Sequence, residues 1–201
     1  MASEIKHPES IRKLIEYTGG LEGKKVAFIP TGSNGEVEFG DWKGGSWKAA
    51  NSLGAEVKAV QLEDYKNSSV IKELEDQDVI WMHGGVTGYL LYWIRRCELD
   101  KHLPRLLATS LYIGSSAGCM ILAKDQDLAE WYIGEQEPGA SLIPGLGLVD
   151  FNFYPHYEDH LYNEVKAKYR GNKMYLVKDG EVIIVEDGKV RVLGEERIIT
   201  L

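Results

Sequence analysis

Gly114-Ser115-Ser116-Ala117-Gly118 stands between the apolar run Leu111 to Ile113 and the helical start Met120-Ile121-Leu122, and reads as G-x-S-x-G at a strand-to-helix turn. Such an elbow strains its central residue, and small neighbours relieve the crowding, so Ser116 Oγ projects into the space above the sheet. The chemistry this suits is attack on an acyl carbon, with the Ala117 amide aimed at the oxyanion that forms. A second small-residue turn, His83-Gly84-Gly85-Val86-Thr87, follows the run Val79 to Met82 and opens another helix. In a parallel sheet the two strand ends can be neighbours, which would make the Gly85 amide the second oxyanion donor. A tight turn with no chemistry is the competing reading.

A general base must take the serine proton, and His7, His83, His102, His156 and His160 are available. His156 is the best placed. In Phe151-Asn152-Phe153-Tyr154-Pro155-His156-Tyr157 an alternating strand meets Pro155 and releases the chain toward the cleft. The alternative is a histidine packed against the Tyr154 and Tyr157 rings. His156 and His160 also have i, i+4 spacing with Glu164 one turn on, but Pro155 puts His156 before the helix, and Tyr157 stands where H-E-x-x-H needs Glu. No metal site is expected. Thr31-Gly32-Ser33-Asn34-Gly35 lacks the phosphate-loop pattern and reads as a cleft wall. Cys119, three residues past the elbow's apex, belongs to the first helical turn and reads as a buried, inert thiol.

Positioning these residues requires strands and helices in alternation. Val26 to Ile29, Val57 to Leu62, Val79 to Met82 and Leu111 to Ile113 are short apolar runs bounded by turn residues, each a buried strand. Between them lie the helical patterns Trp47 to Leu53, Val70 to Leu74, and Gly88 to Leu107 with a break near Asp100. An opening helix over Pro8 to Tyr17 is expected to pack at the domain's edge. This order predicts an α/β three-layer fold: a parallel sheet with helices on both faces and chemistry at the strands' carboxyl ends. After Tyr175 the turn pairs Asp179-Gly180 and Asp187-Gly188 predict antiparallel hairpin strands. One domain is expected over 1–201, with an N-terminal helical extension at 1–23 and a C-terminal β extension at 174–201.

With 201 residues, 44% of them apolar, the chain suits one core with a buried site. Its net charge of −8 argues against nucleic acid as a partner. The two cysteines form no disulfide framework or CxxC pair, and no run approaches 18 apolar residues, so a cytoplasmic protein without membrane contact is expected. Five Trp and 11 Tyr supply aromatic surface for a cleft or a homodimer interface.

The three linked motifs, Val79 to Thr87, Tyr112 to Gly118 and Tyr154 to Tyr157, resemble the dipeptidase E and cyanophycinase family of serine peptidases from about Lys24 onward. The resemblance implies a fold like the class I glutamine amidotransferase domain, related to the flavodoxin-like fold. It also implies a serine nucleophile at Ser116, a histidine at His156, and oxyanion amides at Gly85 and Ala117. Where the family's Gly-Gly turn continues Asn-Thr, this chain has Val86-Thr87, which loses one polar contact and leaves Thr87 as a substrate-binding candidate. The family's acid lies past the elbow, where Glu130 is the candidate. Its aspartyl dipeptidases bind the substrate aspartate through an arginine after the histidine; Arg170 is the candidate here, while Glu158 and Asp159 argue against an Asp-X preference.

The expected function is a cofactor-free serine hydrolase acting on dipeptides or short peptides through an acyl-enzyme. The rivals are an amidotransferase-like or inactive domain that binds a small ligand, and a metal-dependent hydrolase using His156 and His160.

Overall fold

Strands that are apolar on both sides of their pleat call for a sheet covered on both faces. In the computed structural model, which describes residues 1–36, 42–65 and 67–200, β1 (Lys25–Ile29), β2 (Glu56–Ala59), β3 (Val79–Met82) and β4 (Leu111–Gly114) form a parallel sheet ordered β2-β1-β3-β4. Around it run α1 (Pro8–Thr18), α2 (Thr31–Asn34), α3 (Gly45–Ser52), α4 (Ile71–Leu74), α5 (Thr87–Arg96), α6 (Leu99–Leu106), α7 (Ala117–Met120), α8 (Asp127–Trp131) and α9 (Tyr162–Lys168). Ala27, Ile29, Ile80 and Met82 enter one core with Leu90, Ile94 and Leu103 of α5 and α6. Their strand neighbours Val26, Phe28, Val79 and Trp81 enter the other, with Leu14 of α1 and Ala50 of α3. The predicted three layers follow from this period of two.

Boundaries move where local chemistry overrides the pattern. The strand expected over Val57 to Leu62 stops at Ala59, and Leu62–Asp64 turns as a 3-10 helix whose Leu62 amide donates to Thr31 Oγ1 at 2.9 Å. The long helix breaks at Cys97 and Glu98 rather than near Asp100, with Glu98 at φ +56°. The opening helix runs one residue past Tyr17. His7 Nδ1 accepts from the Glu9 amide at its start, and the Gly19 amide closes it on the Ile15 carbonyl at 2.9 Å.

The carboxyl-terminal part departs further. β5 (Asn152–Tyr154) pairs in parallel with β6 (Lys173–Leu176), which pairs antiparallel with β9 (Ile198–Thr200). β7 (Val182–Glu186) and β8 (Lys189–Leu193) form the hairpin expected at Asp187-Gly188. No hairpin forms at Asp179-Gly180, because β7 pairs with the start of the chain instead of β6. The Ile183 amide donates to the Met1 carbonyl at 2.8 Å, and Ala2 bridges both Val182 and Ser115. Residues 1–3 therefore lie between β4 and β7, inside the layer rather than at its edge.

Candidate active site

The register Val26↔Val79 and Met82↔Gly114 brings the carboxyl ends of β1, β3 and β4 level, so the turns after them share one rim. Ser116 sits there at φ +48°, ψ −117°, a conformation costing about 1–3 kcal/mol for a residue with a side chain. Its amide donates to the Ala2 and Ser3 carbonyls, both at 3.1 Å, and its carbonyl accepts from the Cys119 amide at 2.7 Å. These bonds hold the strain in place. A Cβ on Gly118 would stand 2.4 Å from the Met82 carbonyl oxygen, so only glycine lets α7 lie this close to β3. Gly85, at φ +119°, lies against Gly32, where a Cβ would come within 2.2 Å of the carbonyl carbon. The turn that holds it runs against the elbow: a Cβ on Gly84 would be 3.2 Å from the Ser116 Cβ. Among the described residues, no protein group accepts from the Gly85 or Ala117 amide.

Parallel pairing of Tyr154 with Leu176 delivers the residues after β5 and β6 to this same rim. His156, at φ +50°, places Nε2 3.1 Å from Ser116 Oγ, and its Nδ1 lies 2.8 Å from Asp179 Oδ1. Burial pulls the His156 pKa down, but the Asp179 bond and charge, with Glu4 and Glu135, outweigh it and leave the imidazole above its ordinary value. The His156 bond holds the Asp179 carboxyl below its ordinary range, and partial burial only partly opposes it. Burial, helped by Lys6, brings His83 down to about 4, so that ring is neutral at physiological pH. Burial pushes Cys119 up to about 12, as expected for an inert thiol.

Asp179, the partner of His156, is not among the candidates the sequence offers. Its Asp-Gly pair predicts a hairpin turn, although its place just past the apolar run Met174 to Val177 marks a strand end at the cleft. Glu130 does not reach His156; its Oε2 accepts from the Ser141 amide at 3.1 Å. Thr87 is fully buried, its amide and hydroxyl both donate to Glu137, and it lies outside the described lining of the cleft. Arg170 is exposed and donates to the Tyr169 carbonyl at 2.7 Å, outside the cleft lining. His160 pairs with Glu158 at 3.3 Å rather than joining His156, and among the described residues no group of three His, Cys, Asp or Glu is arranged to hold a metal.

A cleft of about 400 Å³ opens over Ser116, walled by Trp42, Ser46, His83 and the carboxylates Glu4, Glu36 and Glu135. Ser33 also lines it, as expected of the glycine-rich stretch after β1. Lys6, its cation among the described lining residues, is 3.2 Å from Glu4. An apolar groove of about 210 Å³ lies between α1, β4 and β7, with no carboxylate among its described lining residues.

Residues 2–193 match peptidase family S51. The uncharacterized peptidase Lmo0363 of Listeria monocytogenes is 30% identical over 187 residues, covering 87% of this chain and 88% of that protein. The uncharacterized peptidase Lin0382 of Listeria innocua is 31% identical over 185 residues, with 87% of each covered. Among solved structures, a candidate peptidase E protein from Listeria monocytogenes EGD-e superposes with a TM-score of 0.77 at 27% identity, covering 95% of both chains. A peptidase from an acI-B1 actinobacterium shares the fold, with a TM-score of 0.62 at 18% identity over 98% of this chain and 88% of that one.

Proposed function

The chain belongs to peptidase family S51 and is a peptidase, and from that premise we propose that it cleaves short peptides as a serine hydrolase whose working groups are Ser116, His156 and Asp179. The observation that carries this reading is the continuous contact from Ser116 Oγ through both ring nitrogens of His156 to the Asp179 carboxylate. Ser116 Oγ attacks the scissile carbonyl carbon while His156 Nε2 takes its proton. Asp179 fixes the tautomer with the proton on Nδ1 and stabilises the imidazolium. The amides of Gly85 and Ala117 receive the oxyanion. Collapse of the tetrahedral species breaks the C–N bond, and His156 returns its proton to the leaving amine. Water then attacks the acyl-enzyme with His156 as base, releasing the acid and restoring Ser116.

Among the described lining residues, three carboxylates against one paired lysine disfavour an anionic side chain, which supports short peptides other than Asp-X as substrates. Both cysteines are buried and unpaired, which supports a reducing, cytoplasmic setting. Among the described residues no helix is long and apolar enough to cross a membrane.

The test is intact-mass spectrometry after treatment with an alkyl fluorophosphonate. One adduct on Ser116, absent from Ser116→Ala and His156→Ala, is the expected result. An unlabelled but folded wild type would overturn the mechanism and leave a domain that binds a small ligand.

A further inference from the structure

Ser3 is fully buried, 113 positions before the nucleophile in the chain, and its hydroxyl lies in the middle of the acid–base pair. Its Oγ accepts from the His156 amide at 2.6 Å and donates to Asp179 Oδ1 at 2.7 Å. Because the amide can only donate, the hydroxyl proton must point at the carboxylate. The bonds therefore close a ring: His156 amide, Ser3 hydroxyl, Asp179 Oδ1, His156 Nδ1. The backbone on either side of Ser3 is tied to the elbow as well. The Ala2 amide donates to the Gly114 carbonyl at 2.9 Å, the Ala2 and Ser3 carbonyls accept from Ser116, and the Ile5 amide donates to Ser115 Oγ at 3.3 Å.

We propose that Ser3 is a positioning residue that sets the His156–Asp179 axis relative to Ser116, so the segment preceding α1 is a working part of the active site. This rests on the serine-hydrolase reading above. Asp179 needs such help. Its side chain is 45% exposed, the preceding hairpin that would have rigidified it is absent, and Gly180 follows it at φ +90°. Among the described residues, Ser3 and His156 are the side chains that bond its carboxylate. His156 in turn holds a positive φ that its own side chain does not favour, and its amide bond to Ser3 fixes that turn. Loss of the Ser3 hydroxyl frees the carboxylate to rotate toward water and the imidazole to follow it. Misplacement of about 1 Å at a reacting group costs about 100-fold in rate.

The experiment measures saturation labelling of Ser116 by an alkyl fluorophosphonate, which separates the maximal labelling rate from half-saturation and needs no known substrate. Ser3→Ala is expected to lower the maximal rate by about 10- to 100-fold and to leave half-saturation within about twofold. In an Asp179→Ala background the same change is expected to cost under about twofold, since Ser3 then has no carboxylate to orient. A general packing defect would not show that dependence. Thermal melts identify variants that fold, and Ser3→Cys, close in shape with a weaker donor, carries the test if Ser3→Ala does not. Undiminished labelling of Ser3→Ala, or an equal loss in both backgrounds, would overturn the proposal. If wild-type protein is labelled at Ser116 but Ser3→Ala behaves as wild type, only the role of Ser3 falls. If folded wild type is not labelled, the serine-hydrolase reading falls and takes this one with it.

Discussion

The proposed mechanism needs a neutral His156, so in it the pH at which that ring loses its proton sets the lower limit of activity. Asp179 raises that value, and the acidic limb of the rate profile is expected above the ordinary imidazole value of about 6.5. Asp179→Asn removes the raising charge. Its labelling rate should fall, while its acidic limb moves to lower pH; a limb that stays in place would separate Asp179 from His156. For folding the signs differ between the partners. The raised His156 stabilises the fold below its unfolded value and loses this as pH rises through the folded one. The lowered Asp179 stabilises above its unfolded value and loses this as pH falls. Strain gives a further prediction: Ser116→Gly, free to hold φ +48°, should melt higher than Ser116→Ala, by about 1 kcal/mol in stability. The pairing of Ser116 with His156 was legible in the sequence because sterics restrict what can flank an elbow and Pro155 ends a strand beside His156. The contact of His156 with Asp179 was not legible. Asp-Gly serves a turn and a strand-end carboxylate equally well, and Glu130 stands nearer in sequence than in space.

Elements place the amides of Gly85 and Ala117, the proposed oxyanion donors. The N-terminus of α5 is capped by Glu137, which accepts from the Thr87 and Gly88 amides at 2.8 Å each, and so anchors the turn that holds Gly85. Glu137→Ala is expected to cost about 1.5–3 kcal/mol, or roughly 3–12 °C in Tm, and to slow labelling without abolishing it. Gly85→Ala combines a positive φ with a clash against Gly32 and should destabilise by about 3 kcal/mol or more, read in a denaturant melt. The alternating strands and helices could be read directly from the sequence, because burial on both faces leaves continuous apolar runs. What periodicity cannot report is pairing between distant segments. β7 looked like the second strand of a hairpin with β6, yet its partner is residues 1–2, whose sequence carries no strand signal.

At the scale of the molecule, residues 1–3 join the four-stranded sheet to the β7–β8 hairpin. Deleting residues 1–5 is expected to leave the Gly114 carbonyl and the Ser116 amide without these partners, lower Tm and abolish fluorophosphonate labelling together, as the same bonds serve both. Ser3 and Asp179 meet across 176 positions of sequence, with Ser116 and His156 supplied from between. Synthesis runs in one direction, so the first of these residues emerges long before the last. A growing chain can already carry the elbow and its histidine while still lacking the carboxylate that aligns them. In the proposed mechanism the acid–base pair is complete only once β6 is in place and β7 has closed over residues 1–3, so hydrolytic power would follow the synthesis of Asp179 and not that of Ser116.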